Sequence, residues 1–388
     1  MLTNAVAPDK LGGLERYVRE LSAALARKGM PVTVVTKRIQ EGDPSEEVGD
    51  DGVRIVRHNV PSKNDRTFAA RYPFYVAAGV LREIHRLGPR GIIHGQYAIT
   101  TLPVALTGHR YLYTFQAPVH KEMLLEHGGS YVLPGPTRKA AVRSLRFAER
   151  SVVAKASATV VLSEFMRGEL GELSARAAAK SRVIPGGIDT EWFSPGAVQK
   201  DSWATSAKPL LFTARRLVER TGVLELVKAM PQVIDHLPSA RLAIAGDGHE
   251  RKAIEAEIRH LGIQNQVRLL GRVSEAALLQ WYRNADLTVT PTQQLEGFGL
   301  STGESLSVGT PALVTPIGSN PELVRRLHPL LIAPGCHSEH MAEAVCRLID
   351  HPGLLEQLRM EARSHAHPRW SWDQVSDRYL QMYEQLAP

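Results

Sequence analysis

The sequence has little cysteine and no long apolar run. Its 388 residues include two cysteines, Cys336 and Cys346, and their ten-residue separation fits no zinc site. So few thiols are typical of a reducing cytoplasm. No run of about 18 apolar residues occurs, so no membrane span is predicted, and the N-terminus lacks a secretory signal pattern. We therefore expect a cytoplasmic protein, with the inner face of a membrane as an alternative location.

Low-complexity segments, short internal repeats and a dinucleotide fingerprint are absent too. No Gly-x-Gly-x-x-Gly follows a first strand, which disfavours a dinucleotide-dependent dehydrogenase. What is present is the composition of an ordinary globular protein, with 43% hydrophobic and 22% charged residues. A chain of this length predicts two domains rather than one core.

Charge is distributed unevenly along the chain. Residues 1–185 contain 27 basic and 17 acidic residues, a net charge of +10, whereas the remainder contains 20 and 23, a net charge of −3. A basic half attracts a phosphorylated acceptor, an anionic membrane or nucleic acid. We expect no nucleic-acid partner, because no recognisable module accompanies the charge. A solvated basic surface is the simpler interpretation.

The most informative stretch is Glu296-Gly-Phe-Gly-Leu-Ser-Thr-Gly-Glu304, in which two glutamates stand eight positions apart. A strand-like run over residues 287–290 precedes it, and residues 300–308 are predicted to form a helix. Such strand-to-helix turns bind ligands in open parallel sheets, and the amides at a helix start suit a phosphate. Glu304 would then reach the hydroxyls of an attached ribose. For two isolated glutamates, an acidic turn that complements the helix dipole is the simpler alternative.

Other blocks along the chain extend this pattern. Residues 182–189 read Arg-Val-Ile-Pro-Gly-Gly-Ile-Asp, residues 246–248 read Gly-Asp-Gly, and Gly-Thr-Pro occupies residues 309–311. With the two glutamates around Gly-Phe-Gly, these blocks resemble the signature of retaining glycosyltransferases of family 4, which have the GT-B architecture. The resemblance covers nearly the whole chain and is strongest over residues 182–324.

The resemblance implies an α/β fold of two doubly wound, Rossmann-like domains facing each other across a cleft. We assign residues 1–190 to an N-terminal acceptor-binding domain, 191–204 to a linker and 205–370 to a nucleotide-sugar-binding domain. Residues 371–388 would cross back and pack on the first domain. Their aromatic and apolar stripe is predicted to be core rather than a platform for a ligand.

The resemblance also implies roles for residues of the second domain. Glu296 would hold hydroxyls of the donor sugar and Glu304 the ribose. Arg216 and Arg220 would hold the diphosphate and stabilise its departure. Arg215 could substitute for either arginine, since Thr221 stands where the family usually has a lysine. The other predicted donor-binding positions are Gly12, Gly13, Gly271, Arg272, Val273, Gly297, Phe298, Gly299, Leu300 and Ser301.

Candidates in the first domain are less specific. Gln116 follows a predicted strand over residues 111–115, where the family usually presents a histidine. Glutamine donates a hydrogen bond but cannot carry charge, and we keep it as a catalytic candidate. The acceptor-side candidates lie at or near other strand ends, although a lone histidine there is as readily structural. They are His94, Tyr97, His120 and Ser163.

Three segments of the first domain have open interpretations. Residues 2–8 match a first strand poorly, so either that strand is short or the chain begins later than the true start. Residues 119–137 are predicted to be a long acceptor-side loop. Residues 138–155 form a predicted basic amphipathic helix, whose arginines face solvent or touch a membrane or an anionic acceptor.

The function implied by the resemblance is transfer of a sugar from a nucleoside diphosphate donor to an acceptor hydroxyl, with retained anomeric configuration. The family favours UDP, and GDP is the alternative. No Asp-x-Asp stands at a fitting strand end, so we expect no required metal and no further cofactor. The partners are a nucleotide sugar and an acceptor, with peripheral membrane contact and a monomer or homodimer left open. Alternatives are a nucleotide-sugar epimerase and a non-catalytic nucleotide-sugar-binding protein.

Overall fold

The computed structural model describes residues 1–9, 12–40, 42–62, 65, 67–88, 91–125, 135–199, 201–206, 208–351 and 353–386. The chain divides into two compact units. Of the described residues, 1–124, 135–187 and 372–386 belong to the first unit, and the second unit is built on residues 188–371. Each unit contains a largely parallel sheet covered by helices.

The sheet of the first unit is parallel except at one edge. Its strands are β1 (Thr33–Lys37), β2 (Glu46–Val48), β3 (Arg54–His58), β4 (Ile93–Gly95), β5 (Tyr111–Phe115), β6 (Ala158–Val161) and β7 (Arg182–Val183). β1 pairs in parallel with β3, and β4 to β7 pair in parallel in succession. The edge strand β2 runs antiparallel to β3. β5 is buried at every position, as a parallel strand covered on both faces should be.

The N-terminal residues join the two halves of this sheet. Leu2 forms parallel bridges to Val35 of β1 and to Gly95 of β4. Its amide donates to the carbonyl of His94 at 2.8 Å, and its carbonyl accepts from the Gln96 amide at 2.9 Å. Leu2 is buried. Among the described residues before α1, Leu2 is therefore the one that bridges β1 and β4.

Helices cover the sheet of the first unit. They are α1 (Gly13–Arg27), α2 (Phe68–Leu87), α3 (Ala98–Leu106), α4 (Val119–Leu125), α5 (Gly135–Lys155), α6 (Glu164–Leu173) and α7 (Ala175–Lys180), together with the C-terminal helix (Trp372–Leu386). The C-terminal helix packs on α1 and β5. It buries the predicted stripe of Trp372, Val375, Tyr379, Met382 and Tyr383, so these side chains are core.

The second unit contains a fully parallel sheet. Its strands are β8 (Leu210–Ala214), β9 (Arg241–Ala245), β10 (Val267–Gly271), β11 (Leu287–Thr290) and β12 (Ala312–Val314), in the order β10-β9-β8-β11-β12. The apolar runs of β8 and β11 are almost wholly buried. Because β8 and β11 are neighbours, the turns that follow them lie side by side at the carboxyl edge of the sheet.

Helices of the second unit alternate with these strands. They are α8 (Ser202–Thr205), α9 (Val223–His236), α10 (Arg251–His260), α11 (Glu275–Asn284), α12 (Leu300–Ser307), α13 (Asn320–Val324), α14 (Ser338–Asp350) and α15 (Leu354–Ala366). Part of the predicted linker is bonded to this unit. Arg283 Nε donates to the Ser194 carbonyl at 2.8 Å, and the Gln199 amide donates to Gln280 Oε1 at 2.9 Å.

The structure corrects the predicted loop over residues 119–137. Its first part is helix α4, and the beginning of α5 already lies at Gly135; residues 126–134 lie outside the described residues. The basic helix predicted over 138–155 is confirmed as the main part of α5. Within the described ranges, no helix is both long enough and apolar enough to cross a membrane.

Candidate functional site

The turn between β11 and α12 depends on a glycine at the helix start. Gly299, which caps α12, has a φ of +91°. A Cβ atom there would lie 2.3 Å from Asn320 Oδ1, so a side chain would be strained and would also clash. Leu295 has a φ of +48°, also in the left-handed region. These two positions give Glu296 its place between the strand end and the helix.

Glu296 is held by an arginine from the neighbouring strand end. Arg215 Nη2 donates to Glu296 Oε2 at 2.7 Å, and the two side chains are 8% and 17% exposed. Burial alone would raise the pKa of Glu296. The charges of Arg215, Arg220 and Arg216, with the Arg215 hydrogen bond, outweigh burial and lower the pKa. Glu296 is therefore a carboxylate at neutral pH.

A buried polar network fixes this pair. Arg215 Nη2 also donates to Thr292 Oγ1 at 3.0 Å, and Asn320 Nδ2 donates to the same hydroxyl at 3.0 Å. Asn320 Oδ1 accepts from Thr302 Oγ1 at 3.1 Å. Thr292, Asn320 and Thr302 are not among the site residues predicted from the sequence. Their sequence signal was weak: Thr292 and Asn320 lie inside strand-end segments, but nothing in those segments shows that they meet.

Glu304 projects from α12 into buried surroundings. It is 4% exposed, and its Oε2 accepts a hydrogen bond from the Tyr282 hydroxyl at 2.9 Å. Tyr282 on α11 is itself buried. This contact orients the carboxylate and uses one of its two oxygens, which restricts how a ribose hydroxyl could approach it.

The three predicted arginines have different surroundings. Arg216 is exposed, whereas Arg220 is half-buried and its Nη1 donates to the Leu295 carbonyl at 3.2 Å. Arg215 is the one bonded to Glu296. Thr221, at the usual lysine position, is buried and donates its hydroxyl to the Arg216 and Val218 carbonyls. It therefore fixes the turn and supplies no charge.

A glycine brings this arginine turn close to the end of β11. Gly222 has a φ of +73°, and a Cβ atom there would lie 1.9 Å from the Pro291 carbonyl oxygen. No other residue fits this close approach without movement of the backbone. Arg220 and Glu296 therefore belong to one compact group of turns.

Gly271, Arg272 and Val273 lie at the end of β10, on the outer strand of the sheet. Gly271 has a φ of +68°. The Arg272 side chain is 79% exposed, and its Nε is 3.9 Å from Asp247 Oδ2. Since β9 and β8 separate β10 from β11, these residues extend the carboxyl edge rather than join the Glu296 group.

In the first unit, the glycine pair opens α1. Gly13 is its first residue, and Gly12 precedes it in an extended conformation. A Cβ atom at Gly12 would lie 2.3 Å from Oε2 of the buried Glu15. A larger residue at position 12 would therefore require the Glu15 carboxylate to move.

Gln116 begins a chain of hydrogen bonds that leads into the core. Its Nε2 donates to Gln96 Oε1 at 2.8 Å, and Gln96 Nε2 lies 3.0 Å from His94 Nε2. His94 Nδ1 is 2.7 Å from the Tyr383 hydroxyl, and His94 is only 2% exposed. Burial, followed by the charge of the N-terminal ammonium, holds the pKa of His94 well below its usual range. His94 is therefore a buried, neutral imidazole at neutral pH.

His120 forms a buried pair with Glu149 of α5. His120 Nδ1 is 2.5 Å from Glu149 Oε2, and Glu149 Oε1 accepts from the Val119 amide at 2.6 Å. Burial raises the pKa of Glu149 to about 7. Burial, followed by the charges of Arg146 and Lys121, lowers the pKa of His120. The pair joins the start of α4 to α5, so His120 is already engaged within the protein.

The remaining acceptor-side candidates also have local structural partners. Ser163 is buried and caps α6, where its Oγ accepts from the Met166 amide at 3.1 Å. Tyr97 precedes α3 and is half-buried, and its carbonyl accepts from the Thr101 amide at 3.1 Å. The structure links Gln116 to His94 but does not bring the four acceptor-side residues together.

Two family models match the chain one after the other. The model of Glycosyltransferase Family 4 matches residues 11–192, and that of Glycosyl transferases group 1 matches residues 198–365. The chain belongs to the family 4 glycosyltransferases.

Known proteins similar to this glycosyltransferase match over nearly its full length. A D-inositol 3-phosphate glycosyltransferase from Xylanimonas cellulosilytica is 27% identical over 97% of this chain and 92% of its own. Sucrose-phosphate synthase from Thermosynechococcus elongatus superposes with a TM-score of 0.80 at 22% identity, covering 99% and 95% of the two chains. Anabaena HepE in complex with UDP and glucose has a TM-score of 0.74 at 16% identity, covering 99% of each chain. The structural matches establish two Rossmann-like domains of the GT-B fold.

The second unit of this glycosyltransferase gathers charge of both signs at one edge. A fixed carboxylate, Glu296, stands among three guanidinium groups, and the amides of α12 begin within four residues of it. Such an arrangement can bind hydroxyls through the carboxylate and phosphate oxygens through the cations and amides. Across the described residues, no group of three or more His, Cys, Asp or Glu side chains is placed to hold a metal ion.

Proposed function

We propose that this glycosyltransferase moves a hexose from UDP to an acceptor hydroxyl, with retained anomeric configuration and without a metal ion. The observation that carries the proposal is the Glu296 carboxylate, bonded to Arg215 and influenced by Arg216 and Arg220. A carboxylate held ionised within a cationic turn suits a neutral sugar joined to a diphosphate. The complex of UDP and glucose with the similar HepE fold supports UDP as the nucleotide.

Each part of the donor has a proposed contact in the second unit. Glu296 accepts hydrogen bonds from sugar hydroxyls, and the Glu304 carboxylate accepts from the ribose. Arg216, Arg220 and the first amides of α12 bind the diphosphate. These amides precede the first hydrogen bond of the helix, from the Gly303 amide to the Gly299 carbonyl, so they are not used by the helix itself.

The proposed reaction takes place on one face of the sugar. The bond from the anomeric carbon to the diphosphate breaks, and the acceptor oxygen bonds to the same carbon from the same side. The leaving diphosphate oxygen takes the acceptor proton, so no carboxylate is needed as a covalent nucleophile. Arg216 and Arg220 stabilise the charge that develops on the leaving group. This supply of positive charge is why we infer that no metal ion is required.

For the acceptor, we infer an anionic molecule or a peripheral contact with an anionic membrane, bound through the first unit. The net charge of +10 over residues 1–185 supports this inference. On α5, Arg143, Arg146 and Arg150 are exposed, and Phe147 between them is 68% exposed. Basic side chains around an exposed aromatic ring are typical of a helix that contacts an anionic surface.

Release of the sugar from UDP-glucose tests the proposal. The protein is incubated with UDP-glucose and EDTA, and the anomer of the first glucose released to water is followed by proton NMR. We expect α-glucose and UDP to form together, at a rate that magnesium does not raise. Initial β-glucose would contradict retention, and an altered nucleotide sugar without free UDP would indicate an epimerase.

A further inference from the structure

The amide of Gln116 is connected to the C-terminal helix through a chain of buried side chains. Each member of the chain makes a hydrogen bond within the first unit. Gln116 Nε2 donates to Gln96 Oε1 at 2.8 Å, Gln96 Nε2 is 3.0 Å from His94 Nε2, and His94 Nδ1 is 2.7 Å from the Tyr383 hydroxyl. Gln96, His94 and Tyr383 are buried, and Gln116 is half-buried.

The tautomer of His94 sets the directions of its hydrogen bonds. Gln96 uses its carbonyl oxygen for Gln116, so its NH2 group faces the His94 ring, 3.0 Å from Nε2 and 3.5 Å from Nδ1. The Tyr383 hydroxyl donates to Nδ1 in one tautomer and accepts from it in the other. In either tautomer the Gln96 amide lies between Gln116 and the His94 ring.

A second branch of hydrogen bonds also reaches His94. Thr114 Oγ1 lies 2.7 Å from His94 Nε2 and 3.0 Å from the Tyr379 hydroxyl, and that hydroxyl is 2.7 Å from the Tyr17 hydroxyl on α1. Thr114, Tyr379 and Tyr17 are all buried. His94 therefore has few alternative orientations, and the fixed imidazole determines how the Gln96 amide is turned.

We propose that Gln96 is a positioning residue for Gln116, and that the C-terminal helix holds Gln96 through His94 and Tyr383. This inference rests on the proposed function and on the catalytic role predicted for Gln116. A glutamine side chain is longer and has more rotational freedom than a histidine side chain at the same place. The buried partner holds the Gln116 amide in one orientation.

NMR of the glutamine side-chain amides tests the positioning directly, without any ligand. The Gln116 signal is assigned in protein labelled with 15N-glutamine by its loss in Gln116→Ala. In Gln96→Leu we expect this signal to move to the position of a mobile, solvated amide, and in Tyr383→Phe to shift by a smaller amount. An unchanged Gln116 signal in Gln96→Leu would overturn the inference.

Turnover of UDP-glucose tests the consequence for the reaction. Gln96→Leu and Gln116→Ala should each lower the rate of UDP release about tenfold, the size expected for one lost hydrogen bond. The double variant should be no slower than Gln116→Ala alone, because Gln96 acts through Gln116. A merely structural Gln96 would give additive losses, which would overturn the inference.

The matched control is Tyr111, a buried tyrosine that takes no part in the hydrogen bonds between Gln116 and Tyr383. The Tyr111 hydroxyl on β5 donates to the Val152 carbonyl at 2.5 Å, so Tyr111→Phe also loses one buried hydrogen bond. It should leave both the Gln116 signal and the turnover near wild type, and equal effects of Tyr111→Phe and Tyr383→Phe would contradict the proposal. If the wild type binds no UDP while the Gln96→Leu signal still moves, the proposed function fails and the positioning stands.

Discussion

The predicted site residues of the two units have different kinds of polar partners. In the second unit, Arg215, Thr292, Asn320 and Glu296 meet in one group of turns, with Arg220 bonded beside it. In the first unit, the candidate His94 is in the core and Ser163 caps a helix. The first arrangement gathers charged groups at one edge of the sheet, whereas the second uses polar groups to join elements of the fold.

The difference indicates where specificity resides in this glycosyltransferase. Under the proposed function, donor recognition depends on fixed charges, so the second unit must keep a defined set of side chains in place. Under the same proposal, the acceptor binds through the basic surface of the first unit, where few of the described candidates are fixed charges. Substitutions in the second unit should therefore change either turnover or UDP affinity alone. Their effects should be larger than those of substitutions in the first unit.

The largest expected effect comes from Glu296→Gln. This change keeps the side-chain shape but removes the charge that Arg215 holds, and turnover should fall about 100- to 1000-fold, as expected for a lost transition-state contact. UDP affinity should stay within about threefold of wild type, because the proposed contact is to the sugar. Steady-state kinetics and calorimetry measure the two quantities. Gln294→Ala, an exposed position in the same turn, serves as the control, and a parallel loss of UDP affinity would contradict the assignment.

Glu304→Ala should act on nucleotide affinity instead. Loss of a charged hydrogen-bond partner to the ribose is expected to weaken UDP binding about 10- to 100-fold. Tyr282→Phe keeps the carboxylate and removes only its buried donor, so calorimetry should show a smaller effect. Exposed Glu356→Ala should have none. Equal and small effects of the Glu296 and Glu304 variants would refute the division of roles between them.

In the first unit, Glu149→Gln should change the dependence of stability on pH. The folded protein holds the Glu149 proton up to a pH of about 7, whereas the unfolded chain releases it near the ordinary glutamate pKa of 4.5. Between these values the folded state binds more protons, so Glu149 reduces stability as pH rises. Glu149→Gln cannot release a proton at this position, so it avoids this loss of folding stability, which is on the order of 1–3 kcal/mol. Thermal melting at pH 5 and pH 8 measures the difference.

Glu172→Gln provides the matched control for that experiment. Its hydrogen bond from Lys121, followed by the Lys121 charge, lowers the pKa of this exposed carboxyl, so its contribution changes only below a pH of about 4.5. Melting of Glu172→Gln should therefore follow the wild type between pH 5 and pH 8. A Glu149→Gln protein with the same pH dependence as the wild type would show that Glu149 is ionised in the folded state throughout.

The smallest expected effect is binding to anionic vesicles through α5. At low salt, a modest fraction of the protein should sediment with phosphatidylserine vesicles and not with phosphatidylcholine, and high salt should abolish this binding. Arg143→Glu with Arg150→Glu should reduce it, whereas Arg272→Glu in the second unit should not. Absence of binding at low salt would exclude contact with an anionic membrane and leave an anionic molecule as the proposed acceptor.

The strands and helices of the second unit were predictable because their signals are local. The strand over residues 287–290 and the helix starting at Leu300 are confirmed, since an apolar run and a glycine turn mark them in the sequence. The contacts around Arg215 were not predictable. Thr292 and Asn320 stand 28 positions apart, and only the packing of neighbouring strand ends brings them together.

In the first unit, the sequence predicted the edge on which side chains lie but not the direction in which they point. His94 lies in β4, one residue before its end, yet its partner Tyr383 is 289 positions away on the C-terminal helix. The apolar stripe of that helix was correctly predicted as core. The sequence did not indicate which residues its tyrosine hydroxyls would bond. The short, glutamate-rich β2 was not predicted, because a three-residue edge strand has no buried pattern. The roles of the predicted site residues stay predictions.

Calorimetric titration with UDP, GDP, ADP and TDP, in EDTA and then with magnesium, tests the central claim most directly. We predict that UDP binds in EDTA, that magnesium leaves its affinity unchanged, and that Arg216→Ala and Arg220→Ala each weaken it. Tight binding of another nucleotide would change the donor and leave the site intact. Binding of none of them, or binding only with magnesium, would contradict the claim that arginines and helix amides of the second unit hold the diphosphate.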